Sequence, residues 1–224
     1  YVVDIDAVLE AVDSRTRVVF IANPANPTGT WLPFSAIERL HAGLPEHVLL
    51  VLDGAYAECA SGIAGYSDGL DWSGDKENVL VTRTFSKAYG LASLRIGWAY
   101  GSSQVVAALD RIRLPFSVPR AAEAAAVAAL GDEDFLRMSV SAFAEGRTQL
   151  DAACRAVGAR TLPSAANFVT ARFDDASAID QALARSGILV RHLANYGMPD
   201  WLRISSGRPA DMERTIAVLG DICR

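Results

Sequence analysis

Short apolar runs that break off at polar or turn-forming residues organise the first half of the chain. Residues 17–22, 48–52 and 79–82 are rich in valine, leucine and isoleucine, and the chain then reaches Asn23, Asp53 and Thr84. Continuous β-branched runs of this kind read as buried parallel strands rather than as half-exposed ones. Between the first two lies Ser35-Ala36-Ile37-Glu38, a Ser-x-x-Glu pattern that predicts a capping box opening a helix. Strand, helix and strand in alternation predict right-handed βαβ units and a mostly parallel α/β sheet.

The pattern changes in the second half. Residues 118–130 are alanine-rich, and Asp132-Glu133-Asp134 reads as the acidic first turn of a helix reaching about residue 157. Residues 167–173 then alternate like a half-buried strand. A helix at 176–186, strands at 188–191 and 201–204, and a last helix at 210–222 follow. The expected organisation is a large α/β domain over residues 1–117, connecting helices over 118–157, and a smaller α+β domain over 158–224.

Composition narrows the function classes. With 224 residues, 51% hydrophobic content and 21% charged content, the chain is long and apolar enough to bury a core without disulfides or metals. A net charge of -5 with scattered basic residues argues against nucleic acid or an anionic membrane as partner. No apolar run reaches the length of a membrane span. Cys59, Cys154 and Cys223 are odd in number and lack zinc or C-x-x-C spacing, which points to free thiols in a reducing cytoplasm and to no metal. Tyr1 rather than methionine opens the chain, which suggests a fragment or a processed protein.

Chemistry concentrates where the three early strands end. Ligands of open parallel sheets bind at the carboxyl ends of strands. Those ends carry Asn23-Pro24-Ala25-Asn26-Pro27-Thr28-Gly29, Asp53-Gly54-Ala55-Tyr56 and Thr84-Phe85-Ser86-Lys87. Singly, each has a plainer explanation: a Pro/Gly turn, an aspartate capping a helix, a solvated lysine. Parallel strands would bring all three to one crevice. A Gly-x-Gly-x-x-Gly turn and a P-loop are absent, and Gly90-Leu91-Ala92-Ser93-Leu94 lacks the second glycine of a serine-hydrolase elbow.

These segments, with Arg95 eight residues after Lys87 and with Trp201-Leu202-Arg203-Ile204-Ser205-Ser206-Gly207, resemble the fold type I aminotransferases that use pyridoxal 5'-phosphate (PLP), and within them the histidinol-phosphate branch. The resemblance implies that Lys87 carries PLP as a Schiff base and later serves as general acid and base. It implies that Asp53 keeps the ring nitrogen protonated and that Asn26 and Tyr56 donate to the ring oxygen. Thr84, Ser86 and Arg95 match the phosphate site. Arg203 matches the arginine that grips the substrate, and Arg191 a second one for the substrate phosphate. The implied reaction is amino transfer between the pair glutamate/2-oxoglutarate and the pair histidinol phosphate/imidazole acetol phosphate, in histidine biosynthesis.

A homodimer is implied by the family. Ala25 departs from the second asparagine of many members. The family's preceding segment, with a stacking aromatic ring and part of the phosphate cradle, has no counterpart here. Aromatic aminotransferases and threonine-phosphate decarboxylases share these motifs, and a catalytically silent fragment is a third alternative.

Overall fold

The computed structural model describes residues 1–223. Val2–Pro24 and Trp31–Arg137 form one compact unit; Tyr1, Ala25–Thr30 and the chain from Met138 onward form the other. The first unit contains α1 (Ile5–Glu10), β1 (Val18–Ala22), α2 (Phe34–Gly43), β2 (Leu49–Asp53), α3 (Ala57–Ala60), α4 (Leu70–Ser73), β3 (Val79–Thr84), β4 (Gly97–Gly101), α5 (Ser103–Ile112) and α6 (Arg120–Leu130). Helix α7 (Glu133–Ala156) begins here and continues into the second unit.

Strands β1, β2 and β3 pair in parallel in that order, and β4 joins β3 antiparallel. The register sets Ala22 beside Asp53, and Asp53 beside Thr82. The carboxyl ends of β2 and β3 therefore open on one edge, where a parallel sheet presents its loops. Ile37 and Leu40 of α2 are 1% and 0% exposed and pack with Ile21, Leu50, Leu52, Val79 and Val81. Each such side chain contributes about 1.5–3 kcal/mol by leaving water, which fixes the sheet that presents the loops.

Two expectations need correction. Strand β1 is an edge strand with Val18 and Phe20 exposed, not a strand buried on both faces. An apolar run alone does not distinguish one-sided from two-sided burial. Helix α2 starts at Phe34 behind Pro33, with no side-chain cap, so Ser35 lies inside the first turn and the capping box is absent. Proline presets the entry φ and takes the place that the serine was expected to hold.

The second unit contains β5 (Arg160–Thr161), β6 (Phe168–Arg172), α8 (Ala176–Arg185), β7 (Arg191–His192), β8 (Trp201–Ser205) and α9 (Pro209–Ile222). Its sheet is antiparallel throughout, in the order β5-β6-β8-β7. The strand expected at 188–191 is only β7, because residues 188–190 stay irregular after the Gly187 turn at φ +74°. Leu150 and Cys154 of α7 and Met212 and Leu219 of α9 pack against Val169, Leu202 and Ile204. No disulfide joins cysteines among the described residues, and burial pushes the Cys154 thiol up to about 12. The fold is thus α/β, with a mostly parallel sheet and a separate antiparallel one.

Candidate active site

In the first unit, the loop after β3 is tied to itself before it carries any chemistry. The Phe85 ring is buried and tilts against Tyr89 at 5.0 Å, while the Phe85 amide donates to the Ile96 carbonyl and its own carbonyl accepts from the Leu91 amide. Thr84 Oγ1 accepts the Ser86 amide at 3.1 Å. Arg95 adopts the left-handed conformation at φ 51°, and its Nη1 donates to Ser86 Oγ at 3.1 Å and to the Ala92 carbonyl at 2.8 Å. A hydroxyl and a guanidinium thus meet at one point, with Thr84 two residues away in sequence. This donor set is suited to a phosphate, because a charged fork beside hydroxyl donors gives short charge-assisted hydrogen bonds.

Lys87 follows directly. It is half-buried, and its Nζ lies 5.2 Å from the centroid of the buried Tyr56 ring. Tyr56 stands at the N-terminal boundary of α3. Three residues earlier, Asp53 ends β2 and its Oδ1 accepts the Ala55 amide at 3.0 Å. Asp53 is therefore not the cap of a helix, and its carboxylate stays half-buried at the sheet edge.

A charged cluster that the sequence reading did not single out lies beside this turn. The Arg83 side chain is 7% exposed; Nη1 meets Glu58 Oε1 at 3.0 Å and Nη2 meets Asp68. Burial pushes the Glu58 carboxyl above its ordinary value, against the pull of Arg83. Burial likewise raises Tyr66, whose hydroxyl donates to the Asn23 carbonyl at 3.0 Å. An arginine in a strand that opens on three buried apolar residues was the available signal.

The second unit holds Asn26, Arg203 and Arg191. Residues 25–30 fold back on themselves, with the Ala25 amide donating to the Thr30 carbonyl at 2.8 Å and the Gly29 amide to the Ala25 carbonyl at 2.7 Å. Thr170 Oγ1 donates to the Pro27 carbonyl, and the Ala165 amide to the Gly29 carbonyl at 2.8 Å. Gly29 sits at φ +75°, and a Cβ there would lie 2.6 Å from Ser164 Cβ. Gly29→Ala is expected to lower stability by about 2–5 kcal/mol through left-handed strain and overpacking, read as a shift in the urea midpoint.

Arg203 Nη1 donates to Asn26 Oδ1, which leaves the Asn26 amide nitrogen to serve another acceptor. The Arg203 guanidinium lies 5.1 Å from the Phe168 ring centroid, and its Nε is buried without a hydrogen-bond partner. Arg191 is exposed and stands directly opposite Arg203 in the β7–β8 ladder. Neither arginine has a carboxylate partner among the described residues. Like charges directly opposite destabilise a ladder, so an anion placed there would relieve the pair.

A fold with a parallel sheet, a lysine loop at its carboxyl edge and a second antiparallel unit defines a class. The chain belongs to the aminotransferase class I and II family, which it matches over residues 1–219. It is 48% identical over 220 residues to histidinol-phosphate aminotransferase 2 of Pseudomonas aeruginosa, covering 98% of this chain and 59% of that protein. It is 48% identical over 222 residues to the histidinol-phosphate aminotransferase of Rhodospirillum centenum, covering 97% of this chain and 61% of that protein. Among solved structures it is similar to histidinol-phosphate aminotransferase from Sinorhizobium meliloti in complex with PLP, with a TM-score of 0.90 and 37% identity, covering 99% of this chain and 61% of that one. The chain thus spans about three fifths of the length of these relatives.

Proposed function

We propose that this chain belongs to a PLP-dependent aminotransferase that exchanges an amino group between glutamate and a phosphorylated imidazole substrate. The observation that carries the reading is the Lys87 amine beside Tyr56, with the Ser86–Arg95 pair on the same loop. The donor set fits the cofactor: an amine for its aldehyde, hydroxyls and a guanidinium for its phosphate, and a carboxylate for its ring nitrogen. PLP, when bound, supplies an electron sink for charge developing on the substrate's α-carbon.

The remaining roles belong to this chain's residues. Lys87 Nζ anchors the cofactor and, once freed, takes the α-proton. Asp53 keeps a proton on the ring nitrogen; Tyr56 and the Asn26 amide donate to the ring oxygen. Thr84, Ser86 and Arg95 hold the phosphate. Arg203 grips the carboxylate of glutamate and, in the other half-reaction, meets the phosphate of the alcohol substrate, which has no carboxylate. Arg191 opposite it is a second contact for that phosphate. Their unneutralised side-by-side placement supports a dianionic or doubly anionic substrate, which favours the histidinol-phosphate reading over an aromatic one. A cytoplasmic homodimer and a division near residues 117 and 157 complete the proposal.

Arg203→Lys is expected to raise KM for glutamate by about 10–100-fold with a smaller change in kcat, since lysine lacks the planar fork. Steady-state kinetics separate the two parameters. The substrate reading is tested by mixing the PLP-loaded protein with glutamate, histidinol phosphate, phenylalanine or threonine phosphate and following the visible spectrum and the products. Half-conversion at the lowest concentration of histidinol phosphate supports it. Preference for phenylalanine, or carbon dioxide release, favours one of the alternatives; no spectral response from a folded, loaded chain favours a silent module.

A further inference from the structure

Arg83 is the one charged side chain on β3, and it is almost wholly withdrawn from water. Ionised groups buried together are a poor source of net stability, because desolvation offsets their attraction and apolar replacements of similar volume are often neutral. The surroundings of Arg83 do more than satisfy its charge. Its aliphatic stem crosses Gly54, where a Cβ would lie 3.0 Å from Arg83 Cδ and 3.1 Å from the Thr82 carbonyl oxygen. A side chain at position 54 would press on the arginine, which would have to shift by a few tenths of an ångström. Its head reaches Glu58 on α3 and Asp68 before α4, and its Cζ lies 5.8 Å from the Trp98 ring centroid. Nε is buried without a hydrogen-bond partner, so the guanidinium is held by its two carboxylates and by packing.

The ends of this clamp bracket the chemistry. On one side of Gly54 is Asp53; between Gly54 and Glu58 is Tyr56. The Gly54 amide donates to the Thr82 carbonyl at 2.9 Å, and the Ala57 amide to the Gly54 carbonyl at 3.1 Å. One residue beyond Arg83 in the other direction begins the Thr84–Lys87 loop. We infer that Arg83 is a positioning residue, which through Gly54 and Glu58 fixes where the Asp53 carboxylate and the Tyr56 hydroxyl stand relative to Lys87. The link to cofactor handling rests on the PLP reading above; the clamp itself does not.

The experiment has two arms on the same proteins, the unaltered chain and the variants Arg83→Met, Glu58→Gln and Asp68→Asn. The first arm, without cofactor, is amide hydrogen exchange over residues 54–58. Exchange about tenfold faster there, with Leu50 and Val51 of β2 unchanged, is expected when the clamp is broken. The second arm is PLP titration, reading the dissociation constant and the visible circular dichroism of bound PLP. An affinity loss of about tenfold or more and a weakened visible band are expected, since supporting residues set the geometry of those that touch the ligand. Arg83→Lys, which keeps one cation, is expected to recover part of both losses.

If Arg83→Met does not fold, the two carboxamide variants, which keep Arg83 in place, carry both arms. Unchanged exchange in folded variants overturns the clamp. Faster exchange with PLP affinity and circular dichroism unaltered overturns its positioning role. An unaltered chain that fails to take up PLP, with exchange behaving as expected, overturns the cofactor reading and leaves the clamp standing.

Discussion

Lys87→Ala is expected to abolish covalent retention of PLP and to lower any amino-transfer rate by about 10⁴-fold or more. Two losses combine: the covalent anchor disappears, and so does the base that moves the α-proton, which alone accounts for about 10²–10⁴-fold. The structure gives no reason for the fold to suffer comparably. Lys87 is half-buried, makes no ion pair among the described residues, and its loop is pinned by Phe85, Thr84 and Arg95 rather than by the lysine. Its contact with the Tyr56 ring is worth about 0.5–2 kcal/mol at most. The variant should therefore unfold cooperatively near the unaltered midpoint while remaining colourless after PLP is added and removed by gel filtration. Lys87→Arg should fare no better: it keeps the cation but cannot form the imine. Retained colour in Lys87→Ala would place the attachment elsewhere.

The second large effect is expected at Asp53. Asp53→Asn leaves an amide oxygen where Oδ1 accepts the Ala55 amide, so the turn after β2 is preserved and only the negative charge is removed. Stability is expected to change by less than about 1 kcal/mol. Activity should fall by about 10²–10³-fold, the scale seen when one preorganised electrostatic partner of the reacting system is lost. The fall should appear in kcat rather than KM, because the charge acts on the cofactor and not on substrate binding. Asp53→Ala removes the turn bond as well and should add a stability loss of about 1–3 kcal/mol. Steady-state kinetics beside urea denaturation of both variants separates charge from turn; an Asp53→Asn protein with full kcat would contradict the assigned role.

How much could be read from the sequence depended on which physical signal each element left there. The runs at 48–52 and 79–82 announced β2 and β3 because residues 48–52 and 79–81 are apolar throughout and mostly buried. The lysine loop was legible because Thr84, Ser86, Lys87 and Arg95 lie close in sequence, so their chemistry survives without coordinates. Strand β4 left little trace: its sequence, Gly97-Trp98-Ala99-Tyr100-Gly101, mixes glycine with aromatics, and its antiparallel pairing with β3 is a tertiary fact. The facing of Arg191 and Arg203 was likewise hidden, since the register between the two strands that carry them is not written in either one.

The Arg83–Glu58–Asp68 cluster shows the same limit from another side. Three charges spread over 25 residues read as ordinary surface chemistry until the backbone brings them together. Helix α2 shows a local error instead, where Pro33 outcompeted Ser35 for the start of the helix.

Lys87 as the attachment point of PLP is open to a direct test. Lys76 and Lys87 are the only two lysines, and Lys76 lies against the Trp72 ring at 5.7 Å. The measurement is borohydride reduction of the PLP-treated protein, followed by peptide mass spectrometry to locate the pyridoxyl group. A single stoichiometric adduct on Lys87 is expected. An adduct confined to Lys76 or to the amino group of Tyr1, or none at all in a folded sample, would contradict it.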